Sequence, residues 1–362
     1  MKMFFVLFFA LLALANVYVI WHIWHIMPFV FWKKWVVAGF FTMLFVCMSF
    51  AMSRVNDNLP MPVSVMVYEF GTGWLIALLY LVIVFALLDI GRLVHLIPSS
   101  FLHASLAGTC LVAGGVGGLL IYGNIHYYNK HREAVVLKTA KPLSKSLKIV
   151  MMSDLHLGYH NRRGELARWV EMVNREKPDI VMIAGDIIDR SMRPLEDENM
   201  AEELRKINAP VFACLGNHEY YAGISGALDF YADAGITLLR DSVAVAGDVQ
   251  IVGREDRSNL RRKKVAELVK DLDKGKYTVL LDHQPYNLGD AEQGGIDFQL
   301  SGHTHHGQVW PISLITDAVY ECAAGRWKRG NTDYYVSSGM GIWGGKFRIG
   351  TRSEYIVVTI TN

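Results

Sequence analysis

The sequence predicts a chain in two parts: about four N-terminal membrane helices, then an α/β domain built as a two-sheet sandwich flanked by helices. Three observations lead there. Residues 1–53 carry only Lys2, Lys33 and Lys34 as charged side chains, and residues 96–129 carry none. Beyond Lys130 short apolar runs alternate with helical stretches, the pattern of an α/β domain. Five of those runs end at Gly, Ser, Asp, Asn or His. At 362 residues the chain is long enough for two domains. The net charge of +2 comes without a basic stripe, so no nucleic-acid partner is expected.

Four apolar stretches are candidate spans: about Met3–Trp21, Trp35–Met52, Val67–Leu88 and Phe101–Tyr122. A span needs roughly 20 apolar residues. The first lacks a polar cleavage region and reads as a retained helix. Trp21, Trp24, Trp32 and Trp35 cluster as an interfacial aromatic belt does, and His22 and His25 read as members of it rather than as haem ligands. Glu69 is the only acidic residue within these stretches, which leaves little for an ion path. Gly114 and Gly118 have the spacing of a close helix-packing face.

With four spans both chain ends share a side. Lys2, Arg54, Lys130 and Arg132 then flank one face, with Lys138, Lys141, Lys145 and Lys148 behind them, against Lys33, Lys34 and Arg92 on the other. The positive-inside rule places the larger set, and the C-terminal domain, in the cytoplasm. Cys47, Cys110, Cys214 and Cys322 form no CxxC pair, so neither a disulfide framework nor a thiolate metal site is expected.

The expected division is 1–125 for the membrane helices, 126–146 for a junction and 147–362 for the α/β domain. Strands are predicted at Leu147–Met152, Asp179–Ala184, Pro210–Leu215, Tyr277–Leu281 and Asp297–Leu300. Helices are predicted at about Arg163–Glu176, Glu198–Asn208, Ser225–Ala234 and Asn259–Asp273. Val243–Ala246, Val249–Val252, Tyr334–Ser337 and Glu354–Ile360 are assigned to a second sheet.

The strand ends carry the chemistry. Asp154 and His156 are two apart, so on extended backbone they share a face and can reach one ion. Asp186 offers a carboxylate that can bridge two ions about 3.5–4 Å apart. Asn217 offers a neutral carbonyl oxygen, leaving the adjacent His218 to face substrate. His303 and His305 again stand two apart, and His283 ends another run. Oxygen and imidazole donors suit Mn, Fe, Zn or Mg rather than thiophilic ions. Each cluster alone has a plain explanation as a helix cap, a turn or a polar loop. Five together, each after a strand, do not.

In order and spacing, Ser153-Asp154-Leu155-His156-Leu157-Gly158, Gly185-Asp186, Gly216-Asn217-His218-Glu219-Tyr220, His283 and Gly302-His303-Thr304-His305-His306-Gly307-Gln308 resemble the calcineurin-like metallophosphoesterases, in particular a membrane-associated bacterial branch. Ser338-Gly339-Met340-Gly341 followed by Arg348 resembles that branch as well. The resemblance spans 147–362. It implies two divalent cations, Mn foremost, with Asp154, His156 and His305 on the first, Asn217, His283 and His303 on the second, and Asp186 shared. It implies attack by a metal-bridging hydroxide on a phosphoester or pyrophosphate bond, phosphodiesters included, with His218 stabilising the transition state or protonating the leaving group. His306 stands where the branch has glycine.

The expected protein is therefore an integral enzyme of the bacterial inner membrane. Its partners are the lipid bilayer and a phosphoester substrate, lipid-linked in one version, with no protein partner implied. The alternative is a metal-binding scaffold or membrane sensor with a phosphoesterase-like domain. Arg254, Arg257, Arg261 and Arg262 read as a solvated helix face or, less simply, a phosphate clamp. Trp310, Trp343 and Phe347 read as packing or rim residues.

Overall fold

The computed structural model describes residues 2–362, without the side chains of Lys2, Phe4 and Phe5. It divides into two compact units, one of residues up to Ile125 with Gly344–Phe347, the other of His126–Trp343 with Arg348–Asn362. Phe347, expected as a packing or rim residue, belongs to the first unit.

The first unit is built on α1 (Lys2–Ile26), α2 (Phe31–Ala51), α3 (Met61–Leu93) and α4 (Leu106–Tyr128) as far as Ile125, the last residues of α4 belonging to the second. Val6–Ile26 and the whole of α2, α3 and α4 are long and apolar enough to cross a membrane. α3 is longer than the sequence suggests, because Asp89 and Arg92 lie inside its last turns. Glu69 is therefore not the only acidic residue in the helices. Asp89 takes a hydrogen bond from Tyr18 at 2.8 Å and pairs with His22 Nε2 at 2.9 Å, which satisfies a polar group that apolar surroundings would otherwise penalise. The close helix packing falls at Gly71, where a Cβ would sit 2.6 Å from the Met48 backbone, and not at Gly114 or Gly118, which face open space in the described residues.

The second unit has two six-stranded sheets. Its strands are β1 (His131–Lys138), β2 (Leu147–Met152), β3 (Ile180–Ala184), β4 (Val211–Cys214), β5 (Thr237–Leu238), β6 (Ser242–Ala246), β7 (Val249–Gly253), β8 (Tyr277–Leu281), β9 (Phe298–Ser301), β10 (Gly325–Arg329), β11 (Thr332–Val336) and β12 (Glu354–Thr361). One sheet runs β1-β12-β2-β3-β4-β5, the other β10-β11-β9-β8-β7-β6. The helices are α5 (Arg163–Arg175), α6 (Arg193–Asp197), α7 (Met200–Leu204), α8 (Asn217–Ala222), α9 (Ile224–Asp233), α10 (Val265–Val269), α11 (Gly289–Gln293) and α12 (Ile312–Val319).

Alternation along β2 explains the layers. Ile149 and Met151 point between the sheets with Met182, Val279, Leu281 and Val358. Val150 and Met152 point the other way, under Trp169 and Val170 of α5 and Phe230 of α9. Leu280 and Val252 likewise turn outward under Val265 and Leu268 of α10. Both faces of each sheet are covered, which is why the central strands are nearly unbroken apolar runs.

Three expectations need correction. The stretch 126–146 is not only a junction, because β1 lies in it and pairs in parallel with β12 over eight register positions. Glu354–Thr361 joins the first sheet, antiparallel to β2, rather than the second, which takes β8 and β9 instead. Of 259–273 only Val265–Val269 is helical, the rest being short turns, bends and irregular chain.

Candidate metal centre

β2, β3 and β4 run parallel in one sheet, as do β8 and β9 in the other. Parallel strands bring their carboxyl ends to one edge, where ligands of such sheets bind. The loops after these five strands carry the polar clusters.

Asp154, His156 and His305 each present a ligand atom within 4.8 Å of the others, and so do Asp186, His283 and His303. His156 Nε2 lies 2.9 Å from His305 Nε2, and Asp154 Oδ1 lies 3.3 Å from His305 Nε2. Asp186 Oδ2 is 3.1 Å from His283 Nε2 and 3.7 Å from His156 Nε2, so one carboxylate stands against both clusters. Asp154, His156, Asp186, His303 and His305 all adopt positive φ. Left-handed backbone costs energy outside glycine and gathers at functional sites.

The backbone around these side chains has no room to spare. A Cβ on Gly216 would lie 2.1 Å from Asp186 Oδ1, and one on Gly302 would lie 2.3 Å from Asp154 Oδ2. These glycines are there so that one loop can lie against another's carboxylate.

The electrostatics suit a cation. Burial opposes ionisation of Asp154, yet His305 and His156 outweigh it and hold the carboxyl below its ordinary range. Burial alone would lower His156, but the carboxylates of Asp154 and Asp189 beside it push it up to about 10. Burial and the neighbouring His283 bring His303 down to about 4. In this cluster the proton on His156 supplies positive charge between carboxylates, where a divalent ion would supply more. Asn217 Oδ1 is buried and, among the described residues, has no hydrogen-bond partner, as a ligand atom for an ion would. His283 Nδ1 is 2.7 Å from the Ala184 carbonyl, which fixes the tautomer and leaves Nε2 as the ligand atom. The donor set, oxygen and imidazole only, fits two hard-to-intermediate divalent ions.

His218 stands beside this group. Its backbone N–H donates to Asp186 Oδ1 at 2.9 Å, and its Nδ1 lies 2.6 Å from the Asp189 carbonyl oxygen. Its ring meets the His156 ring edge-on at 4.5 Å.

Four supporting residues escaped the sequence reading or were given no role by it. Asp189 is buried, its Oδ1 3.4 Å from His156 Nδ1 and 3.5 Å from His218 Nδ1. Its spacing from Asp186 was the available signal. Glu219 accepts from the backbone N–H of Asp186, Ile188 and Gly216 at 3.2, 3.0 and 2.7 Å. A glutamate three residues after a helix start, reaching back to the N–H there, is a known capping pattern and could have been read from Gly216-Asn217-His218-Glu219. Asn161 donates to the carbonyl of Leu155, between Asp154 and His156, and is itself 2.7 Å from the Tyr127 hydroxyl. Arg348, fully buried, donates to the carbonyls of His305 at 2.8 Å and Gly341 at 3.0 Å. Burial lowers its guanidinium to about 10.

The four arginines do not form one patch. Arg254 and Arg262 turn inward onto buried Asp282 at 3.0 and 3.1 Å, which is why the segment is not a solvated helix face. His306 takes a left-handed conformation that glycine would adopt freely, and its ring pairs with Asp317 at 3.2 Å.

Replacing Glu219 by Leu is expected to leave three buried N–H groups without an acceptor. At ~1–3 kcal/mol each, the loss of stability is roughly 3 kcal/mol or more. A urea titration of the detergent-solubilised variant reads this directly, and an unchanged midpoint would assign those N–H groups to other acceptors.

Fold and site together define an α/β protein with a dinuclear-type cluster of Asp, His and Asn at the strand ends. The profile of the calcineurin-like phosphoesterases matches residues 147–307. An uncharacterized metallophosphoesterase of Campylobacter jejuni is 34% identical over 250 residues, 67% of this chain and 66% of that protein. One of Aquifex aeolicus is 32% identical over 250 residues, 66% of this chain and 95% of that protein. The transmembrane protein with metallophosphoesterase domain of Danio rerio is 29% identical over 258 residues, 65% of this chain and 59% of that protein. The chain spans 59% to 66% of the length of the Campylobacter and Helicobacter relatives it matches. It belongs to the calcineurin-like phosphoesterase family.

Proposed function

We propose that this protein is a membrane-anchored phosphohydrolase that cleaves a phosphoester or pyrophosphate bond with two divalent ions, Mn being the best match to the donors. The observation that carries the reading is the buried Asp186 carboxylate standing against both His/Asp clusters. Asp154, His156 and His305 would hold one ion, Asn217, His283 and His303 the other, with Asp186 between. When bound, such a pair supplies Lewis acidity and lowers the pKa of an attacking water. The chain's own residues do the rest. His218 would act with hydrogen on both ring nitrogens: Nδ1–H donates to the Asp189 carbonyl, and the Nε2 proton passes to the leaving oxygen, which leaves a neutral imidazole. Glu219 and Arg348 hold the loops of Asp186 and His305.

The substrate in this reading is lipid-linked, and the membrane is a bacterial inner membrane with the phosphoesterase unit on the cytoplasmic side. Its support is an apolar surface within the second unit. Trp310, Leu314, Ile315 and Val319, on and just before α12, are each about half or more exposed, and α12 follows directly from the loop of His303 and His305. Apolar side chains at a site rim can cover an acyl chain. The test uses full-length protein in detergent, stripped with chelator and reloaded. Hydrolysis of an aryl phosphoester is expected only after reloading, and its absence would overturn the reading. For the lipid, kcat/KM is expected at least ~10-fold higher for a lipid pyrophosphate than for its tail-less head group, because each buried CH₂ contributes ~0.8 kcal/mol. Equal values would remove the lipid from the proposal.

A further inference from the structure

Beside His303 lies a wall that the metal centre does not use. The Tyr320 ring is 6.4 Å from the His303 ring and 4.9 Å from that of Tyr286. The Tyr286 and Tyr320 hydroxyl oxygens are 3.0 Å apart. The Arg257 guanidinium lies 4.0 Å over the centre of the Tyr286 ring. Arg257 is exposed, and among the described residues no carboxylate lies within ion-pairing distance of it, in contrast to Arg254 and Arg262, which are both spent on Asp282.

Each part of this arrangement is suited to an anion. Stacking on the tyrosine fixes the plane of the guanidinium while leaving its N–H edge unused. That edge matches two phosphate oxygens. A hydroxyl pair consumes one of its two hydrogens internally, so the second remains for a ligand. Arginine, tyrosine pair and His303 form one continuous run of ring contacts ending at a residue of the metal centre. A group held by Arg257 would therefore lie along the same wall as the group held at the centre and would not be that group.

We infer that Arg257, with the Tyr286–Tyr320 hydroxyl pair, is a subsite for a second phosphoryl group, so that the substrate of this centre is a diphosphate rather than a simple monoester. The inference rests on the phosphohydrolase reading above and narrows its substrate class. Arg257 and the tyrosines bind the phosphoryl group that is not attacked.

The test compares metal-reloaded wild type with Arg257→Gln and Tyr320→Phe on an aryl phosphomonoester and on a P1,P2-disubstituted diphosphate. Arg257→Gln is expected to lower kcat/KM for the diphosphate about 10- to 100-fold, mostly through KM, and to leave the monoester within about 3-fold, since charge-assisted contacts to one group are at stake. Tyr320→Phe is expected to act in the same direction and more weakly. Binding of methylenediphosphonate, followed by calorimetry, should weaken in parallel without any turnover. Equal losses on both substrates would make the wall merely structural, and no loss on either would leave Arg257 outside the binding site; both overturn the inference while the phosphohydrolase reading stands. A reloaded wild type that cleaves neither substrate overturns that reading and this inference with it.

Discussion

Asp186→Ala is expected to lose both metal ions at once. The Asp186 carboxylate lies 3.1 Å from His283 and 3.7 Å from His156, so it serves the two clusters together, and nothing else in the described site does so. Loss of even an outer-shell partner costs about 10–100-fold in metal affinity, so loss of a shared ligand should cost at least ~10²-fold for each ion. Hydrolysis should fall with occupancy. Elemental analysis after gel filtration is the measurement. Asp186 Oδ1 also accepts the His218 N–H, so alanine could disturb the start of α8. Asp186→Asn retains an acceptor there while removing the charge. If Asp186→Asn loses metal at an unchanged melting temperature, ligation is the cause. Unchanged metal content in both variants would end the shared-ligand assignment.

His218→Ala should behave in the opposite way, keeping its metal and its fold while turnover falls about 10²- to 10⁴-fold, the usual contribution of a positioned acid or base. The loss should be largest for alkyl esters, whose leaving oxygen needs a proton, and smallest for nitrophenyl esters, whose oxygen does not. The ring is tied through Nδ1 to the Asp189 carbonyl, and Asp189 itself is buried beside His156. His218→Gln, which can still donate a hydrogen bond but cannot transfer a proton, should recover little. Full activity of His218→Ala on an alkyl ester would take His218 out of the chemistry.

Much of the fold was legible because buried parallel strands are locally conspicuous. Leu147–Met152 and Tyr277–Leu281 are apolar at all but Lys148 and Thr278, and the polar residues that follow them have no packing reason to be there. What was not legible depends on partners far away in sequence. β1 alternates buried with exposed residues on an edge, and its only sheet partner is β12. β10, Gly325–Arg329, is a charged edge strand with no buried residue to mark it. The stretch 259–273 has helix-forming residues, but Arg262 is drawn to Asp282, and only Val265–Val269 is helical. At the candidate site, residue types and spacing pointed to Asp154, His156, Asp186, His283, His303 and His305, whose side chains lie in two groups. Asp189 and Glu219 did not stand out, because a carboxylate that orients others looks in a sequence like any acidic residue.

The placement of β12 between β1 and β2 has a consequence for how the protein is made. β12 pairs with β1 at His131↔Glu354 and with β2 at Met151↔Ile356, so each contact closes a loop of about two hundred residues. Loop closure over such separations is slow, and sheets that depend on it fold late. While the ribosome works from residue 138 to residue 354, the backbone groups of β1 have no sheet partner, and one edge of β2 is open. A nascent chain in that condition exposes strand edges to its neighbours, the situation in which chaperones are needed. The unit that carries the chemistry can therefore close its first sheet only once β12 has emerged, so its maturation waits on that one strand instead of keeping pace with the strands before it.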